Sequence, residues 1–124
     1  MTTLVMDPRV EKRLIAERQA ADGARFDEMW EGVYVMPPMP NNEHQIMATR
    51  LGAVGQVVID WPGLGVVAVQ VNVSDREQDW EFNYRIPDFT VFLKGNKAKN
   101  CGTHWCGGPD FLSEILSPKD KARE

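Results

Sequence analysis

Two carboxylates stand where the sequence otherwise reads as apolar strand. Asp88 lies in Ile86-Pro87-Asp88-Phe89-Thr90-Val91-Phe92, and Glu114 lies in Leu112-Ser113-Glu114-Ile115-Leu116. A carboxylate in such a setting is costly unless it is paired or holds a cation. The two acids are 114 − 88 = 26 positions apart, on what read as successive strands. Adjacent strands run about 4.8 Å apart, so two carboxylates on one face can share a divalent cation. The plainer alternative is that each sits at a strand end in water or caps a neighbouring helix. That is the commoner state of a single strand acid, since fully buried acids are rare unless paired.

Other polar residues carry weaker signals. Glu43 and His44 open a helical stretch. His44 continues its apolar stripe and could point at a site, whereas Glu43 is sufficiently explained as an acid complementing a helix N-terminus. Asp110 follows Pro109 at the start of a strand and reads as a turn or capping residue. Cys101, His104 and Cys106 offer three soft ligands in a Gly-rich loop. Structural zinc normally takes four, often as two close pairs, so a zinc or redox module is the minor reading. Lys94, Lys97 and Lys99 make a short basic strip suited to phosphate contact or simply to solvent. Trp61 reads as core, and Trp80 and Trp105 as loop residues able to touch nucleic acid.

The elements that must position these groups follow from periodicity and punctuation. Residues 7–23 predict a peripheral helix, capped by Asp7, with Pro8 in its first turn and Gly23 at its end. Residues 26–36 predict a hairpin about Glu31-Gly32, and Pro37, Pro38 and Pro40 prevent its continuation. His44, Met47, Leu51, Val54, Val58 and Trp61 alternate by three and four, which predicts a helix from Asn41 or Asn42 to Trp61 with that stripe buried. Gly52 and Gly55 weaken such a helix unless something packs close to them. Residues 67–73, 85–93 and 110–117 predict three strands, with a long loop over 95–108. The expected fold is α/β or α+β, one mixed sheet flanked by helices.

The 124 residues fit one domain, with residues 1–24 as a peripheral N-terminal helical part. Hydrophobic residues are 43% and charged residues 26%, which argues against disorder. A net charge of −4 excludes bulk basicity as a nucleic-acid signal. It leaves room for a local basic strip or for a cation that does the neutralising. No apolar run approaches the roughly 20 residues of a membrane span, and residues 1–8 lack the pattern of a signal peptide. With two cysteines, this makes a reducing cytoplasm the expected location.

Arg85-Ile86-Pro87-Asp88, followed by Gly107-Gly108-Pro109-Asp110-Phe111-Leu112-Ser113-Glu114-Ile115-Leu116-Ser117-Pro118, resembles the Uma family of restriction-endonuclease-like proteins, within the PD-(D/E)XK nuclease superfamily. Glu31-Gly32-Val33-Tyr34-Val35-Met36-Pro37-Pro38, then Glu43-His44, is similar to the family's N-terminal pattern. The resemblance implies a restriction-endonuclease-like fold and a nucleic-acid substrate, most simply DNA. It implies Mg²⁺ or Mn²⁺ held by Asp88 and Glu114, with His44 at the site and Glu43 in the place of the superfamily's helix acid. Gly102-Thr103-His104-Trp105 is similar to a segment of some members, which implies that His104 supports the site. The superfamily's lysine, two residues after the second acid, is here Leu116. Members of the family carry a lysine slightly later, for which Lys119 and Lys121 are the local substitutes. Residues 117–124 read as the cap and first turn of a further helix, so the expected chain is a fragment lacking a C-terminal helix and strand. A homodimer is expected to cover the surface so exposed. The rival reading is a catalytically dead, nuclease-like interaction module.

Overall fold

Asp7 starts the first helix as predicted: its carboxylate accepts the Arg9 amide at 2.9 Å and its carbonyl the Glu11 amide at 2.8 Å. The structure, a computed structural model, describes residues 2–20 and 26–116. Strand β1 (Thr3–Val5) precedes helix α1 (Pro8–Ala20), which buries no residue and is peripheral. Gly23, expected to end it, lies outside the described residues. Arg18 ties α1 to buried Asp27, through Nη2 at 2.7 Å and through Nε, and the Tyr34 hydroxyl also donates to Asp27. Burial, then the Asp27 partnership, push the Tyr34 phenol well above its ordinary range.

Strands β2 (Glu28–Trp30) and β3 (Val33–Met36) form the expected hairpin, with Trp30 opposite Val33. Glu31 and Gly32 both take positive φ, 47° and 86°, as the twist of a two-residue hairpin loop requires. Helix α2 (Asn42–Gly55) is capped by Asn41 and runs on through a wider-wound turn at Gln56–Asp60.

The predicted buried stripe holds only at His44 and Leu51, which are half-buried, and fails at its other four positions. Trp61 is 72% exposed and Val54 61%, and Met47 and Val58 also face solvent. The buried residues are Ala48 and Gly55. A Cβ built at Gly55 would lie 2.9 Å from Val67 and 3.1 Å from Phe89, and one at Gly52 would lie 3.3 Å from Val69. Ala48, Gly52 and Gly55 share one helix face. Close approach of the helix axis to the strands beneath decides the buried face, and it admits only small residues. The bulky residues are left outside.

The valine-rich run and the stretch around Asp88 each divide into two strands on two sheets. Strand β4 (Gly65–Ala68) stops before Gln70, whose φ is +55°, and the chain resumes as β5 (Val73–Ser74). A short 3₁₀ turn (Trp80–Phe82) leads to β6 (Tyr84–Arg85), and after Pro87 comes β7 (Phe89–Leu93). Residues 95–108 hold a small hairpin, β8 (Lys99–Asn100) and β9 (Trp105–Cys106), where only a loop was expected. The last strand is β10 (Phe111–Ser113).

The result is a mixed α+β fold with two sheets rather than one. The larger has the order β1-β3-β2-β6-β5-β9-β8 and the smaller β10-β7-β4. The larger is mixed because β5 pairs with β9 in parallel. Strand β7 is the hub of the smaller sheet: Phe89, Thr90, Val91 and Phe92 are all buried. Phe89 lies under α2 at Gly55, and Phe92 stacks on Trp105 of β9 with ring centroids 4.0 Å apart. The smaller sheet is thus held between α2 on one side and the β8–β9 hairpin on the other.

Candidate active site

Asp88 stands where the chain leaves one sheet for the other. Pro87, with no N–H to donate, ends β6, and β7 begins at Phe89. Strand β10 runs antiparallel to β7 with Ser113 opposite Phe89. One more step of that register puts Glu114 opposite Asp88. The two acids of the sequence therefore meet at the same end of two neighbouring strands, just past the ladder.

The environment of Asp88 is closely built. It is 9% exposed. One carboxylate oxygen lies 3.1 Å from His44 Nε2, and the other accepts the Ile115 amide at 2.7 Å. His44 is aimed there by the start of α2, where the Asn41 side chain accepts the His44 amide at 2.8 Å. Its other ring nitrogen lies 3.1 Å from Gln45 Oε1. Glu114 is in hydrogen-bonding contact with Asp88, and its pKa is pushed up to about 7. Burial is the main cause, followed by the Asp88 charge and hydrogen bond and then by the charge of Glu28.

Asp88, Glu114 and His44 open onto one cleft of about 420 Å³. Its wall includes Glu28 and Gln70, which sequence reasoning did not single out. Glu28 accepts the Ile86 amide at 2.6 Å and the Trp30 indole N–H at 2.9 Å, and so ties β2 to the approach of Asp88. Its strand alternation was the one available signal. Gln70 had none, because it lies inside a valine-rich run whose break is not visible in the alternation. Leu116 also lines the cleft. Among the described residues lining it there is no lysine or arginine.

The remaining candidates lie elsewhere. Glu43 is exposed in the first turn of α2 and does not line the cleft. His104 does not reach it either. It is buried, with one ring nitrogen 2.9 Å from Thr103 Oγ1, the other 2.9 Å from the Arg76 carbonyl, and its ring stacked on Trp80. It pins the loop after β5. Trp80 and Trp105 are engaged with His104 and Phe92 and are packing residues. Cys101 and Cys106 are free thiols, and among the described residues no three His, Cys, Asp or Glu side chains gather as a metal-binding group. Lys94 is six residues beyond Asp88 along β7, about 20 Å at strand rise, and Lys99 pairs with Glu77 at 3.1 Å. The basic strip is at the far end of the strand from the acids. Asp110 accepts Asn96 Nδ2 at 2.8 Å and the Leu93 amide at 2.7 Å, a turn role, and these bonds lower its pKa. Lys119 and Lys121 lie outside the described residues. No helix among the described residues is long and apolar enough to cross a membrane.

Neither the known protein families nor the curated proteins contain a match to this chain.

Proposed function

We propose that this chain is a nuclease domain of the Uma type, a metal-dependent hydrolase of nucleic-acid phosphodiesters. The observation that carries this reading is the in-register meeting of Asp88 and Glu114, 26 residues apart, on one open cleft. Two hard oxygen donors in mutual repulsion suit Mg²⁺ or Mn²⁺, which are commonly held by one or two carboxylates with water and substrate phosphate completing the shell. When bound, such an ion neutralises the phosphate, lowers the pKa of an attacking water and stabilises the leaving oxygen.

The chain's own residues prepare the site. Ile115 and His44 hold Asp88 in one orientation from opposite sides. Burial and the neighbouring Asp88 raise the pKa of Glu114, and a bound cation would favour its ionised form. Pro37, Pro38 and Ile86 give the cleft dry walls. Leu116 offers no cation to the transition state, and the loss of one such contact typically costs about 10²–10³ in rate. Slow turnover is therefore expected. The same leucine favours a second reading, a nuclease-like module that binds without cutting.

Plasmid DNA incubated with Mn²⁺ separates the two. Slow cleavage, abolished in Asp88→Ala and Glu114→Ala and accelerated in Leu116→Lys, supports the hydrolase. Cleavage that persists in both alanine variants overturns it, and metal binding without cleavage in any variant favours the module.

A further inference from the structure

We propose that the cleft takes an unpaired nucleotide, its base stacked on Trp30 and its phosphate at the Asp88–Glu114 pair; this rests on the nuclease reading of that pair and names its substrate class as single-stranded nucleic acid. Trp30 ends β2 and lines the cleft that holds the two acids. It is 37% exposed, so its ring contributes little to the core. Yet it is held at two points. Its indole N–H donates to Glu28 Oε1 at 2.9 Å, and the Arg85 guanidinium lies 4.6 Å from the ring centroid.

Both holders are themselves fixed. The second Glu28 oxygen accepts the Ile86 amide at 2.6 Å, and Arg85 donates to the Met29 carbonyl at 3.2 Å and to Asn83 Oδ1 at 3.1 Å. Arg85 occupies one face of the indole, so under this proposal a base stacks on the other. An aromatic platform immobilised in advance loses little entropy when a base stacks on it. The neighbouring wall is Pro37, Pro38 and Met39, apolar surface without side-chain donors, which accepts any base by its face rather than by its edge.

Charge and size select the single strand. A groove that tracks a duplex carries lysines and arginines for two backbones. The described lining of this cleft has none and carries Glu28, Asp88 and Glu114, so only the phosphate held through a bound cation is tolerated there, and a duplex brings a second backbone that has no such partner. About 420 Å³ falls within the range of sites enclosing one small ligand, about 300–1,000 Å³. A paired base would first have to leave its stack to enter.

The test is binding of short oligothymidylate, alone and annealed to oligoadenylate, with Ca²⁺ present to hold the phosphate without turnover. Tighter binding of the single strand, weakened about 5- to 150-fold in Trp30→Ala and held within a few-fold in Trp30→Phe, is expected from one base stack. A ring-current shift of thymine methyl protons in the wild-type complex, lost in Trp30→Ala, reports the stack directly and does not depend on the stability of the variant. Equal affinity of wild type and Trp30→Ala, tighter binding of the duplex, or no ring-current shift overturns the proposal. Cleavage assayed with Mn²⁺ separates the two ideas. Trp30-dependent binding with no cleavage in any protein sinks the hydrolase and leaves the stacking site standing, whereas cleavage with no role for Trp30 does the reverse.

Discussion

At the scale of single residues, Glu114 beside Asp88 ties the stability of the fold to pH. Glu114 has an ordinary value of 4.5 and is raised to about 7 in the fold, chiefly by burial and next by Asp88. Between those two values the folded chain binds more protons than the unfolded one, so stability falls as pH rises from about 4.5 to about 7 and levels off above. Urea midpoints measured across that window should show the decline, and Glu114→Gln should flatten it. In the proposed metal site, a cation would compete with that proton for the same oxygens. Titration calorimetry should therefore show Mg²⁺ or Mn²⁺ binding that strengthens as pH rises through about 7 and disappears in Asp88→Ala and in Glu114→Ala. The types of these residues, and their place in apolar strand sequence, were visible in the chain. Glu28 offered only its place in the strand alternation, and Gln70 offered nothing, because the break in its valine-rich run is not visible in the spacing.

At the scale of elements, α2 is positioned by what it lacks. Its polar start aims His44 at Asp88, and Ala48, Gly52 and Gly55 let the helix settle against Val67, Val69 and Phe89. Gly55→Ala places a methyl group 2.9 Å from Val67. Overpacking of this kind costs about 1–3 kcal/mol, against about 1 kcal/mol recovered from helix propensity. A net loss of up to about 2 kcal/mol is expected in chemical denaturation. Gly52→Ala meets only the Val69 methyl at 3.3 Å and should be close to neutral. The starts of α1 and α2 and the β2–β3 hairpin were legible because caps, prolines and a Glu-Gly turn are local signals. The stripe of α2 was misleading: hydrophobic periodicity finds the apolar face, and here a stripe of small residues packs instead.

At the scale of the molecule, two sheets share strands that the sequence writes as continuous. The breaks at Gln70 and Pro87 carry β4 and β7 into the smaller sheet and β5 and β6 into the larger one. The outward face of α2 is left apolar and open, with Met47, Val54, Val58 and Trp61 all exposed. Val54→Lys together with Val58→Lys should leave the unfolding free energy within about 0.5 kcal/mol per site, as at other exposed positions, while lowering the binding of a hydrophobic dye. A loss of several kcal/mol in denaturant titration would instead place these valines in the core, since a buried unpaired lysine is severely penalised.

The sequence by itself determined the α+β class, the starts of the helices and the first hairpin, and marked Asp88 and Glu114 as acids set in apolar strand sequence. Those features depend on backbone propensity, on caps and turns, and on the cost of charge in apolar surroundings, all of which act over a few residues. The tertiary structure decided the rest. Only the pairing of β10 with β7 sets Glu114 opposite Asp88, and only the seating of α2 on that sheet brings His44 within 3.1 Å. The same packing assigned His104 to a buried stack on Trp80 and moved Trp61 from the expected core to the surface. Register and helix depth depend on how side chains of distant segments fit one another, and that fit is not encoded in the spacing along any one of them.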